Sequence, residues 1–304
     1  MSDTTTPSQT VAVIGLGSMG YGIAKSALRG GHRVWGVDIN PDQMVRFARE
    51  GGQAGSLTDS LDTVDVVIVA VLNAAQTETV LFGDQGIVSG LRKGAAVLAC
   101  ATVPPAFAKD MAARCAALDV LYLDAPISGG SVKAAQGKLS IMASGAEEAF
   151  AAVQPVVNSI SETVFALGDE AGAGSAMKAV NQLLAGVHIA AMAEALTFGM
   201  TQGVKPDKFV EVISKCAGTS WMLENRAPHV AAGDYTPHSS INIWPKDLGI
   251  VLDIARGAQF SAPITTAALQ QFTAAAEMGL GGEDDAAVAK VYARNAGLKL
   301  PGEI

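Results

Sequence analysis

With 304 residues, 49% of them hydrophobic and only 16% charged, the chain is long enough for two domains, each with its own core. Its formal net charge of −8 and lack of a basic stripe exclude nucleic acid as a partner, and three cysteines and four histidines at unrelated spacings make no metal site. Mean hydropathy is high, at +0.31, but no uninterrupted apolar stretch reaches the ~18 residues of a spanning helix, so no membrane is expected either.

Residues 1–9 are polar, lack the charged and apolar regions of a secretion signal and read as a tail. Together with the unpatterned cysteines Cys100, Cys115 and Cys216, this implies a cytoplasmic protein. The apolar run 11–14 then predicts a strand, Gly15-Leu16-Gly17-Ser18-Met19-Gly20 a glycine turn, 19–29 a helix and 34–37 a second strand ending at Asp38. Each part of that order has a physical task. Gly15 allows the tight turn, Gly17 lets the backbone approach a pyrophosphate, and Gly20 lets helix and strand pack closely. The helix N-terminus offers unpaired N–H groups and partial positive charge to the phosphates. Asp38, 18 residues past Gly20, is placed to accept hydrogen bonds from a ribose. Its charge repels a 2′-phosphate and no arginine follows it directly, so the cofactor expected is NAD in preference to NADP.

Further strands are predicted at 66–71, 95–99, 120–123, 140–143 and 163–166, and helices at 41–50, 76–81, 104–117 and 146–157. The alternation predicts an α/β, doubly wound, mainly parallel sheet. Loops after the strand ends carry ligand contacts in such sheets, which singles out Leu72, Asn73 and Thr102. The pattern changes near Gly168. A dinucleotide-binding domain over 10–171 and an all-helical domain for substrate and oligomer contacts over 172–304 follow, with Gly172-Ala173-Gly174 as a hinge. One apolar helix from 175 to about 201, roughly 40 Å long, leads into helices at 206–215, 221–232, 245–257, 264–279 and 284–293. Low charge and a long apolar helix predict a homo-oligomer, dimer or tetramer.

Three segments carry chemistry. In Asp124-Ala125-Pro126-Ile127-Ser128-Gly129-Gly130-Ser131, the glycines expose N–H groups and Ser128 adds a hydroxyl, enough to cradle a carboxylate; a plain Gly-rich turn has the same composition. In 172–182, Lys178 and Gln182 are four apart and share a helix face, with Asn181 beside them. A lysine among apolar residues is desolvated, which favours its neutral amine and suits it to take a proton from an alcohol as hydride leaves carbon. In Trp244-Pro245-Lys246-Asp247-Leu248 a helix begins, and Lys246 is the odd residue, since a cation gains nothing from the dipole at that end.

These motifs, taken in order, resemble the β-hydroxyacid dehydrogenases, the group containing 3-hydroxyisobutyrate dehydrogenase and tartronate semialdehyde reductase. The resemblance covers nearly the whole chain. It implies that Lys178 is the catalytic lysine, that Ser128, Gly129 and Gly130 bind substrate, and that Thr102 and Lys246 approach the cofactor. One departure stands out: the family usually has Asn four residues after the lysine, where this chain has Gln182, so substrate placement must differ. The stretches 181–188, 220–226, 233–238 and 283–285 resemble the branch acting on four-carbon sugar acids, the L-threonate 2-dehydrogenases. Their polar groups, among them Asn225 and Arg226, either line a pocket for substrate hydroxyls or tie helices together. The reading is an NAD-dependent oxidation of a small hydroxy acid such as L-threonate at C2 in a crevice between the domains. Lys178 is the general acid and base, and Gln182 orients the reacting region. A 3-hydroxyisobutyrate dehydrogenase or a tartronate or succinic semialdehyde reductase stays open as the alternative. A non-catalytic dinucleotide-binding scaffold is the rival of another class.

Overall fold

The computed structural model describes residues 7–53 and 56–303; the tail up to residue 6 lies outside them. Continuous apolar runs make five short strands: β1 (Thr10–Ile14), β2 (Arg33–Val37), β3 (Val66–Val69), β4 (Ala96–Ala99) and β5 (Leu121–Asp124). They pair in parallel in the order β2-β1-β3-β4-β5. The middle strands are buried on both faces, as parallel strands covered by helices must be. Alternate residues point opposite ways. Val11, Val13, Ile68 and Leu98 join one core with α1 (Gly20–Arg29) and α6 (Glu147–Ile160). Ala12, Ile14, Val67 and Val97 join the other with α3 (Ala74–Phe82) and α4 (Pro105–Ala116). α2 (Pro41–Arg49), capped by Asn40, follows β2.

The expected strands at 140–143 and 163–166 do not extend this sheet. After β5 the chain doubles back, and Asp124 and Ser144 exchange two backbone hydrogen bonds, of 3.0 and 2.8 Å, in an antiparallel bridge. Parallel pairing cannot continue past that reversal. Instead β6 (Ile127–Ser128), β7 (Leu139–Ala143) and β8 (Ser161–Ala166) form a separate small sheet, β6 antiparallel to β7 and β7 parallel to β8. A short helix, α5 (Gly130–Gln136), begins at the second glycine of the expected cradle, where no helix was predicted. It is tied to α1 by the Ser26 hydroxyl, which donates to the Ala134 carbonyl at 2.8 Å.

The described chain divides into two compact units after Lys178. α7 (Ala173–Thr201) runs unbroken through the division, and by length and composition it is apolar enough to cross a membrane. The second unit adds α8 (Pro206–Ile213), α9 (Trp221–Ala232), α10 (Ile243–Gly257), α11 (Pro263–Ala275) and α12 (Ala289–Asn295) around a core that includes Ile189, Leu196, Phe209, Leu223, Trp244, Leu248 and Phe272. A Cβ added at Gly186 would lie 2.9 Å from both Leu248 Cδ2 and Trp244 Cε3, so this glycine lets α7 and α10 approach closely.

Candidate functional site

The glycine turn is built as its residues dictate. Gly15 has φ +96°, and a Cβ there would sit 2.7 Å from the Ala70 carbonyl oxygen; one at Gly20 would fall 1.8 Å from that of Gly15. Neither position admits a side chain, and β1 turns directly into α1. Gly17 differs, because an added Cβ meets nothing within 4 Å and would project into open space before the loop. That space is what a pyrophosphate needs, and Met19 at the start of α1 makes no side-chain cap with the helix amides. A cleft of about 610 Å³ opening on Leu16, Gly17 and Ser18 is walled by Lys25, Arg29 and Arg46.

Asp38 follows β2 and turns back to the loop. One carboxylate oxygen accepts the Leu16 amide at 2.6 Å and the other the Asn40 amide at 2.8 Å. Both oxygens keep a lone pair, so a carboxylate fixed by two amides stands ready for a ribose hydroxyl. The residues here fit a dinucleotide. Leu72 is exposed and its amide donates to Gln76 Oε1, while Asn73 Oδ1 accepts the Gln76 amide and caps α3. The Asn73 side chain is thus engaged by its own helix. Thr102 is half-buried in the loop after β4.

The residues around Lys178 are held by one strand end. Asp124, buried at the end of β5, accepts the Gly172 amide at 2.9 Å, the Ser175 amide at 2.8 Å and the Ser175 hydroxyl at 2.7 Å. The Gly174 amide donates to Ser144 Oγ at 2.9 Å. Asp124 is therefore the cap of α7, made from 48 residues upstream. Burial pushes its carboxyl above the ordinary range, although the Ser175 and Gly172 donors pull the other way. One turn further along α7, Lys178 is 8% exposed and its Nζ donates to the Ile127 carbonyl at 2.9 Å. The next residues are Ser128, Gly129 and Gly130; the two glycines have φ +133° and +75°, a backbone that residues with side chains rarely adopt. The expected carboxylate cradle and the expected lysine thus meet inside the first unit.

In the second unit, Gln182 Nε2 donates to Asp247 Oδ2 at 2.5 Å, and its Oε1 accepts from Asn181 Nδ2 at 3.0 Å. Asp247, near the start of α10, also pairs with Lys246 at 2.7 Å, which accounts for a cation at that helix end. Arg226 on α9 is bound to Asp285 and Asn225, and Trp244 Nε1 donates to Asp285 at 3.0 Å. These groups tie helices together. Sequence reasoning left both Asp124 and Asp247 without a part; the signal for the first was one acid closing the apolar run 121–123.

Comparison with known proteins covers nearly the whole chain. Residues 10–168 match the model of the NAD binding domain of 6-phosphogluconate dehydrogenase, and 172–292 that of the NAD-binding domain of NADP-dependent 3-hydroxyisobutyrate dehydrogenase. The L-threonate dehydrogenase of Cupriavidus necator is 48% identical over 297 residues, 97% of this chain and 99% of that one. That of Escherichia coli is 43% identical over 294 residues, 96% of each. The crystal structure of a 3-hydroxyisobutyrate dehydrogenase from Salmonella typhimurium has a TM-score of 0.87 at 44% identity, covering 93% of this chain and 99% of that one.

Proposed function

This chain belongs to the β-hydroxyacid dehydrogenases, the family of 3-hydroxyisobutyrate dehydrogenase, and is an NAD-dependent dehydrogenase of hydroxy acids; within that family we propose that it oxidises the four-carbon sugar acid L-threonate at C2. The observation that carries the chemistry is the bond from Lys178 Nζ to the carbonyl of Ile127, the residue just before Ser128-Gly129-Gly130. The substrate rests on the identity to two L-threonate dehydrogenases.

NAD, when bound, supplies the hydride acceptor. Gly15, Leu16, Gly17, Ser18, Met19 and Gly20 would hold its pyrophosphate at the start of α1, and Asp38 would accept from its ribose. Leu72, Asn73 and Thr102, on the loops after β3 and β4, and Lys246 complete the cofactor contacts. The Ser128 hydroxyl and the amides of Gly129 and Gly130 donate to the substrate carboxylate. Lys178, as the neutral amine, takes the substrate hydroxyl proton in oxidation and, as the ammonium, returns it in reduction. Gln182 orients the reacting end of the substrate. Lys178→Ala should therefore lower kcat by about 10²–10⁴-fold while NADH binding, read by fluorescence, is kept.

The test is NADH formation at 340 nm with NAD and L-threonate, D-threonate, D- and L-erythronate, 3-hydroxyisobutyrate, D-glycerate and 4-hydroxybutyrate. Turnover confined to L-threonate is expected. A preference for 3-hydroxyisobutyrate, favoured by the name of the Salmonella relative, or for glycerate or 4-hydroxybutyrate as in a semialdehyde reductase, would replace the substrate and keep the chemistry. The same proposal makes the protein a cytoplasmic homo-oligomer that pairs with a second copy through α7, where Met177, Val180, Leu184 and Phe198 are exposed apolar side chains. Sedimentation of Leu184→Glu, expected to show a smaller species than the wild type, tests it.

A further inference from the structure

We infer that Asp247 is a positioning residue for the reaction proposed above: its carboxylate sets which way the Gln182 amide faces and holds the Lys246 ammonium. The inference rests on that reading of Gln182 and Lys246, and begins from the geometry. Asp247 is 2% exposed; Oδ2 is hydrogen-bonded within the protein, while Oδ1, which accepts no hydrogen bond among the described residues, meets an ammonium as an ion pair. Oδ2 takes Gln182 Nε2 and Oδ1 takes Lys246 Nζ.

A carboxylate has acceptors only, so the nitrogen of the Gln182 amide must face it. On the other side Asn181 Nδ2 donates to the Gln182 oxygen. Turning the Gln182 amide over would set its oxygen against a carboxylate oxygen, which no rotation of Asp247 relieves, whereas the Asn181 amide can turn with it. The carboxylate therefore selects the orientation, and Asn181 matches it. What Gln182 still has to offer, one N–H of Nε2 and one lone pair of Oε1, points in directions fixed by Asp247 and Asn181.

Length matters as well. The close approach of α7 and α10 at Gly186, one turn beyond Gln182, brings the Asp247 carboxylate within reach of a glutamine. Gln182, the residue that departs from the family pattern, is thus the one that meets this carboxylate. A fixed amide that pairs with a substrate hydroxyl rejects acids lacking that hydroxyl far more strongly than an apolar pocket rejects a methylene. Lys246, 30% exposed, is meanwhile held by its neighbour instead of ranging through solvent.

The experiment compares the wild type with Asp247→Asn and with the reversed pair Gln182→Glu/Asp247→Asn, in the full-length protein. The substrate is whichever acid of the panel the wild type oxidises, so a wrong substrate assignment shows in the wild type and not in the variants. Asp247→Asn should raise the substrate KM about tenfold with kcat changed less than about threefold. The reversed pair restores a carboxylate–amide contact and the melting temperature, but places acceptors where position 182 had offered a donor. KM should stay high. NADH affinity, read by protein fluorescence with no turnover, should fall at least about threefold in Asp247→Asn as the ion pair with Lys246 is lost. A KM within about twofold of wild type in Asp247→Asn, a KM restored together with stability in the reversed pair, or an unchanged NADH affinity would each overturn the inference.

Discussion

Replacing Asp124 by alanine tests whether one carboxylate holds the start of α7. The substitution strips the acceptor from the Gly172 amide, the Ser175 amide and the Ser175 hydroxyl, now at 2.9, 2.8 and 2.7 Å. A buried donor left unpaired costs roughly 1–3 kcal/mol. The hydroxyl can rotate to another acceptor and the amides cannot, so the two amides set the loss at about 2–6 kcal/mol. Against a total stability of about 5–15 kcal/mol that is a large share. Asparagine is the control: its oxygen still serves both amides, and its NH₂ can donate to the Ser175 hydroxyl. What it loses is charge assistance, and that loss is offset because burial already disfavours the ionised carboxyl. Asp124→Asn should cost about 1 kcal/mol. Urea denaturation reads both variants, and kcat should follow the same order, because Lys178 lies one turn past Ser175 on the helix that the carboxylate caps. An alanine variant within about 1 kcal/mol of wild type, or an asparagine variant as damaged as the alanine one, would refute the capping argument.

Asp38→Ala removes the acceptor of the Leu16 amide and the charge that repels a 2′-phosphate; initial rates with both cofactors should show the preference for NAD over NADP falling about tenfold, and an unchanged ratio would leave Asp38 a turn former. Asp284 is buried, which would raise its carboxyl, but hydrogen bonds from His229, the His238 and Ala286 amides and the charge of Arg226 hold it below the ordinary carboxylate range. A depressed carboxyl stabilises fully above its unfolded value of ~3.9 and loses that contribution as pH falls through the lower folded value. The stability lead of wild type over Asp284→Asn should thus be full at pH 6 and shrink below pH ~4, checked by urea midpoints across pH. Gly186→Ala forces a methyl against Leu248 and Trp244; a loss of about 1–3 kcal/mol in urea is expected, with the substrate KM raised and NADH affinity kept.

Much of the first unit was legible because its constraints are local. A glycine turn between two apolar runs, closed by Asp38, is specified within 29 residues, from 10 to 38, and backbone sterics enforce it. Other features depend on residues far apart. Asp124 meets its amide partners 48 and 51 residues later, and Gln182 meets Asp247 65 residues later; no window of sequence contains either pair. The runs 140–143 and 163–166 read as further strands of the main sheet, and the reversal after β5 assigns β7 and β8 to another, in which β8 is mostly exposed. α5 was hidden because seven residues opening on Gly130, with Gly129 before it, look like a turn. Arg226 illustrates the opposite case, a polar residue in a resembling stretch whose guanidinium is taken up by Asp285 and Asn225.

The bracing of the lysine has an evolutionary side. The bonds from Asp124 that fix the start of α7, and the Ile127 carbonyl that receives Lys178, come from the first 178 residues. Gln182, Asp247 and Lys246 form their own network in the remainder of the chain. Substitutions that retune the second set need not disturb the proton-transfer apparatus of the first. A lineage built this way can exchange one hydroxy acid for another in small neutral steps, with its acid–base chemistry kept intact throughout.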